Sequence, residues 1–252
     1  MRPDTSPRPA PSPGAGPATP PADPRAALLQ DRNFRWMIGG SALSMLGDQF
    51  TLIALPWLVL QMTGDTLVLG TVLALISVPR ALFILIGGAL VDRHSPKQVL
   101  MITKYVNLVL LAALAGLVFA GTLSLWMVYA LSLGIGLATA FSIPAGTAMM
   151  PSVVARTQLQ AANGISLGLR QLTMFLGPLL AGLLIALFGA GDATGAATGA
   201  STHANATGIG MAFALDALSF AVSAWTLSKV QPHAGLAGAS APTAAPQAVL
   251  AS

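Results

Sequence analysis

Six apolar stretches, each long enough to cross a bilayer, alternate along this chain with short polar breaks. They run over residues 34–61, 67–91, 98–120, 123–143, 159–188 and 208–227. A membrane-spanning helix needs about 20 mostly apolar residues, and every stretch meets that length. The breaks carry turn-forming or charged residues. They are Thr63, Gly64 and Asp65; Asp92, Arg93, His94, Ser95 and Pro96; Gly121 and Thr122; and residues 151–160. None of the stretches alternates with the period of two that a membrane barrel strand requires. The pattern predicts an all-α, polytopic membrane protein with a bundle of six transmembrane helices over residues 33–229.

The flanks differ in character. Nine of the 18 prolines lie within residues 3–24, mixed with Ala, Ser, Thr and Gly. Such a segment cannot bury enough apolar surface to offset its ordering entropy, so residues 1–27 read as a disordered tail. No apolar core with a cleavage site follows Met1, so the tail does not read as a signal peptide. Residues 230–252 are again rich in Ala, Pro and Gly and read as a second disordered tail. The Gly-, Ala- and Thr-rich loop 189–207 reads as floppy.

Composition narrows the class. Charged residues are 8% of the 252, hydrophobic residues are 54%, and there is no Glu. A soluble protein carries roughly 25% charge, so an ordinary soluble enzyme is excluded. The net charge of +4 does not point to nucleic acid, because the bases form no stripe with interleaved aromatics. Cysteine is absent, which removes disulfides and thiol chemistry. Three histidines in loops or tails, His94, His203 and His233, make a metal site unexpected. No phosphate-binding loop is present, and no cofactor is expected. Residues 164–168 spell Gly-Ile-Ser-Leu-Gly, the pattern of serine hydrolases, but that motif needs a preceding strand and a sharp turn. Here it falls in a membrane helix.

The bases that remain set an orientation. Arg2, Arg8, Arg25, Arg32 and Arg35 precede or open the first span. Arg93 and Lys97 lie between spans two and three, Lys104 one to two turns into span three, Arg156 between spans four and five, and Lys229 after span six. The opposite loops carry no Lys or Arg. Ten of the twelve bases therefore cluster at one side, which the positive-inside rule makes cytoplasmic. Both termini are expected inside.

The other two bases, Arg80 and Arg170, sit near the middle of their spans, as do the acids Asp48 and Asp216. All four fall within roughly 8 Å of their span centres at 1.5 Å per residue. A charge at that depth costs at least about 2.5–3.5 kcal/mol unless it is paired or hydrated. The expectation is mutual pairing around a polar interior that forms a substrate or ion path. Polar stripes with 3-4-3 spacing support it: Ser41, Ser44, Asp48 and Thr51; Asn163, Ser166, Arg170 and Thr173; Asp216, Ser219, Ser223 and Thr226. Such spacing keeps residues on one helix face. For the serines and threonines alone, close helix packing is the simpler reading. Pro56, Pro79, Pro144 and Pro178 lie in or at the ends of spans and are expected to kink them.

One further segment is distinctive. Gly88, Leu90, Asp92, Arg93 and Lys97 place an acid and two bases at a tight turn after span two. Such a group can exchange partners between two packings of a bundle. This segment resembles the loop between helices two and three of the major facilitator superfamily, with Ser95 and Pro96 replacing a usual glycine and base. Gly177 and Pro178, followed by Gly182, look like a degraded form of the antiporter branch's Gly-Pro motif. Leu46-Gly47-Asp48-Gln49, Val78-Pro79-Arg80, Ala162-Asn163-Gly164 and Asp216-Ala217-Leu218-Ser219-Phe220 resemble the exporter branch that includes macrolide pumps and the enterobactin exporter.

The resemblance implies one half of the major facilitator fold: six helices that pair with six more, with substrate bound between the halves. It implies ion-gradient-driven efflux of small amphipathic molecules across the cell membrane, working with a second transporter half or by self-association. Asp48, Arg80, Arg170 and Asp216 would form the substrate or ion path. Gly88, Asp92, Arg93 and Lys97 would gate it, and Gly177, Pro178 and Gly182 would shape helix packing and a kink. The alternatives are a non-transporting structural or regulatory membrane protein, or an inactive truncated transporter.

Overall fold

The computed structural model describes residues 24–189 and 201–231. Within them the chain forms α1 (Pro24–Gln30), α2 (Arg32–Thr63), α3 (Thr66–Arg93), α4 (Pro96–Ala120), α5 (Leu125–Val153), α6 (Leu159–Gly189) and α7 (Ser201–Lys229). A short 3-10 turn, Arg156–Gln158, joins α5 to α6. Among the described residues, six helices are long and apolar enough to cross a membrane, and no strand forms.

Local chemistry sets the ends. Asp31 caps α2, its Oδ1 accepting from the backbone N–H groups of Asn33 at 2.7 Å and Phe34 at 3.0 Å. Gly64 ends the helix at φ 65°, a left-handed conformation that costs glycine nothing. Gly121 ends α4 the same way at φ 66°. Pro96 occupies the first turn of α4, where its missing N–H would have had no partner.

Three boundaries differ from the expectation. The fourth span does not stop before Pro144; α5 runs through Pro144 and Pro151 to Val153. Ala145, Met149 and Val153 are buried against neighbouring helices, and that burial carries the helix past the prolines. The last helix begins at Ser201, inside the stretch read as a loop, and α1 begins at Pro24, inside the stretch read as a tail. Leu28 of α1 is buried among Phe34, Val154 and Ala162. The remainder of the predicted tails and loop, residues 1–23, 190–200 and 232–252, lies outside the described residues.

α7 is the hub. It packs on α2, α4 and α6, while α3 packs on α5 and α5 on α4. α2 touches α3 and α5 at few points, which leaves one side of α2 open. The interior is layered along the membrane normal. One apolar cluster gathers Phe34, Met37, Val99, Leu100, Met149 and Leu227. The other gathers Leu55, Val59, Leu111, Leu114, Val128 and Phe213. Between them, the same helices contribute a belt of buried polar groups: Ser44, Lys104, Asn107, Ser132, Asp216, Ser219 and Ser223.

Candidate functional site

The belt is assembled by close approach of α2 and α7. Gly40 and Gly47 lie two turns apart on the face of α2 that meets α7. A Cβ at Gly40 would collide with the Thr226 hydroxyl, and one at Gly47 with the Ser219 hydroxyl and the Asp216 carboxylate. Glycine at both positions lets α7 press its polar stripe onto α2. The whole of that stripe is buried: Asp216 is 0% exposed, Ser219 5%, Ser223 1% and Thr226 8%. Asp216 accepts at Oδ2 from the Thr51 hydroxyl at 2.5 Å and at Oδ1 from Ser219 at 3.3 Å. The carboxylate is thus held by hydroxyls inside a packed seam and does not open onto a cavity.

The stripe on α2 divides. At 100° per residue its four members span about 80°. Ser44 and Thr51 lie on the edge turned to α7, while Asp48 lies on the other edge and is exposed. Gln49 packs on α6, where Gly177 leaves no room for a Cβ because the Gln49 side chain occupies that space.

One lysine that charge counting assigns to topology proves to be interior. Lys104 of α4 is 6% exposed. Its ammonium donates to the hydroxyls of Ser223 at 2.6 Å and Ser44 at 3.3 Å, and stands 5.6 Å from the centre of the Phe220 ring. It therefore ties α2, α4 and α7 together at the belt, and nine rather than ten bases remain as candidates for orienting the chain. The signal was present in Thr103, Lys104 and Asn107, polar at helical spacing within an apolar span. Asn107 is 3% exposed, and its Oδ1 has no hydrogen-bond partner among the described residues.

The four mid-depth charges do not pair as expected. Asp48, Arg80, Arg170 and Asp216 form no ion pair with one another. Equal depth does not fix the direction in which a helix presents a side chain, and the seam supplies Asp216 with hydroxyls instead. Three of them and Lys104 nonetheless share one electrostatic neighbourhood. The charges of Lys104 and Arg80 both act on Asp48, and that of Asp48 acts on Asp216. Arg80 is exposed on α3. One turn earlier, the backbone of Ile76 lies against Gly136 of α5, which fixes this part of α3 closely on the bundle. Arg170 is exposed on α6, on the same face as Thr173 and Gly177, and makes no hydrogen bond or ion pair among the described residues.

At the turn after α3, the side chains of Asp92 and Arg93 and the surroundings of Gly88 lie outside the described residues. Lys97 is described: its ammonium donates to the backbone carbonyls of Val230 at 2.6 Å and Ser228 at 3.4 Å. A cation on the final carbonyls of a helix is favoured by their unpaired lone pairs and by the helix dipole. Asn33 completes the clamp, exchanging hydrogen bonds with the backbone of Gln231 at 3.1 and 3.2 Å. Of the packing residues, Gly177 makes a close contact, Pro178 is exposed within α6, and Gly182 has nothing within 4 Å. Among the described residues no group of His, Asp and Glu is placed to hold a metal.

Six long apolar helices with apolar residues exposed on α3 and α6 and charges layered at mid-length define a multi-pass protein of the lipid bilayer. The profile of the transmembrane secretion effectors matches residues 24–204. The chain belongs to this family of major facilitator efflux transporters. It is similar to macrolide efflux protein A of Streptococcus pyogenes, 28% identical over 149 residues, which are 59% of this chain and 37% of that one. It is also similar to the multidrug efflux pump Tap of Mycolicibacterium fortuitum, 32% identical over 151 residues, 57% of this chain and 36% of that one. The chain thus matches little more than a third of the length of these relatives. No solved structure matches it.

Proposed function

We propose that the chain is a six-helix half of an efflux transporter for small amphipathic molecules, driven by a proton or other ion gradient. In this reading a second six-helix bundle, another copy or a separate half, faces the open side of α2. Both termini are cytoplasmic and the protein resides in the cell membrane. The observation that carries the reading is the belt: a membrane bundle of an efflux family buries Lys104 and Asp216 among serine and threonine hydroxyls, with Asp48 exposed on the adjoining edge of α2.

The roles divide by exposure. Asp48, on the open edge of α2, is the residue that takes up the coupling ion or meets substrate. Asp216, sealed by Thr51 and Ser219, holds the seam and feels the charge of Asp48. Arg80 and Arg170 are the cations that face the path. Gly88, Asp92, Arg93 and Lys97 gate it, with Lys97 joining the gate to the end of α7. The test is accumulation of ethidium in cells that express the chain, alone and with a co-expressed second bundle, with and without an ionophore. Ionophore-sensitive lowering of accumulation supports the reading. Unchanged accumulation in both settings would favour a structural or regulatory membrane protein.

A further inference from the structure

One flank of the α2–α7 seam combines paired aromatic rings, two bases and an open notch. Trp36 of α2 and Trp225 of α7 meet edge to face, with ring centres 5.4 Å apart. Arg32 lies one turn before Trp36 and Lys229 one turn after Trp225. Residues four apart share a helix face, so each helix carries one base beyond the ring pair. The Lys229 ammonium stands 5.7 Å from the centre of the Trp225 ring. Both bases are exposed, and among the described residues neither has an acid as partner. The other polar groups nearby are engaged elsewhere. Asp31 accepts from the backbone N–H groups of Asn33 and Phe34, and Lys97 donates to the carbonyls of Ser228 and Val230.

Deeper along the same flank the surface is apolar. Gly39 is exposed, and a Cβ there would meet nothing within 4 Å. Leu43 on α2 and Leu218 on α7 continue the face, 37% and 58% exposed. Each tryptophan is four residues from its helix end, about 6 Å, and amphipathic rings at that depth mark the boundary between hydrocarbon and headgroups. A second bundle on the open side of α2 would leave this flank uncovered. At 100° per residue, Trp36 and Gly39 lie about 120° and 180° round α2 from Asp48.

We propose that this groove binds an anionic phospholipid of the adjoining leaflet, its phosphate on Arg32 and Lys229 and one acyl chain along Gly39 and Leu43. The two bases supply the charge complement, the rings fix the depth of the headgroup, and the notch at Gly39 admits the chain. A zwitterionic lipid complements the bases less well, because its own amine offsets its phosphate. The site is separate from the polar belt and stands whatever the chain transports.

The test is quenching of tryptophan fluorescence in the full chain, reconstituted in phosphatidylcholine vesicles that contain dibrominated phosphatidylglycerol or dibrominated phosphatidylcholine. Trp57→Phe and Trp126→Phe leave Trp36 and Trp225 as the emitters. Phosphatidylglycerol is expected to bind about tenfold tighter than phosphatidylcholine. Arg32→Gln and Lys229→Gln should each remove most of that preference. Arg35→Gln, a base about 100° round the helix from Trp36, should leave it. Gly39→Leu should reduce quenching by both lipids by filling the notch; should that variant not fold, the charge variants decide the matter. The proposal is overturned if phosphatidylglycerol shows no preference, or if folded Gly39→Leu is quenched like the parent. It is overturned as well if Arg35→Gln lowers the preference as much as Arg32→Gln, which would assign it to the general surface potential. A preference abolished by inorganic phosphate at constant ionic strength would assign the bases to a soluble anion, and absence of quenching by either lipid would assign the groove to a protein neighbour; both results overturn the proposal.

Discussion

Substituting Gly47 by Ala tests how the polar belt is held together. In most helix interiors this change stabilises, by about 1 kcal/mol, because alanine has less backbone freedom to lose. At Gly47 the new methyl group would fall on the Ser219 hydroxyl and the Asp216 carboxylate. Either the helices separate or Asp216 gives up bonds to Thr51 and Ser219. Overpacking of this kind costs about 1–3 kcal/mol, and a hydrogen bond to a charged group contributes about 1.5–3 kcal/mol. The propensity gain offsets only part of this, so Gly47→Ala should destabilise by about 1–3 kcal/mol. Gly116 in α4 is the control, since a Cβ there meets nothing within 4 Å; Gly116→Ala should be neutral or stabilise by up to about 1 kcal/mol. The assay is unfolding in detergent micelles followed by helical circular dichroism. If Gly47→Ala proved as stable as Gly116→Ala, the close α2–α7 seam would be wrong.

Lys104→Met should leave the unfolding free energy within about 1 kcal/mol of the parent, since losing two hydrogen bonds is balanced by no longer burying an ammonium. It should nonetheless lower gradient-driven efflux at least about tenfold, because Asp48 loses a nearby cation; full efflux with the fold intact would reduce Lys104 to a packing element. Lys97→Met should fray the end of α7, seen as faster amide exchange at Val230 and Gln231, with Asn33→Ala adding to it. Asn107→Leu should be neutral or stabilising in the same unfolding assay, because it removes a buried acceptor that has no partner. A large destabilisation would reveal a partner for that oxygen.

The six spans were legible because an apolar run of bilayer length is seldom anything but a membrane helix. The end of α5 was not, because Pro144 reads as a stop, while its continuation depends on Ala145, Met149 and Val153 finding burial on other helices. Depth along each helix was readable from residue number, and it singled out Asp48, Arg80, Arg170 and Asp216. Azimuth was not. The α2 stripe straddles the edge of its contact with α7, so Asp48 and Thr51, three residues apart, end in different surroundings. The interior role of Lys104 was hidden because a base near a span end serves equally well as a topology signal. Only packing against Ser44 and Ser223 separates the two uses.

In the proposed function the two acids divide the labour between coupling and packing, and reconstituted vesicles with an imposed pH gradient test that division most directly. The measurement is gradient-driven movement of a fluorescent substrate probe by the working assembly carrying Asp48→Asn or Asp216→Asn, with each variant's unfolding midpoint alongside. Asp48→Asn should keep the midpoint and lose the dependence on the gradient. Asp216→Asn should lower the midpoint and leave coupling in the fraction that remains folded. Gradient-driven movement that survives Asp48→Asn, or a well-folded Asp216→Asn variant that has lost coupling, would contradict the division.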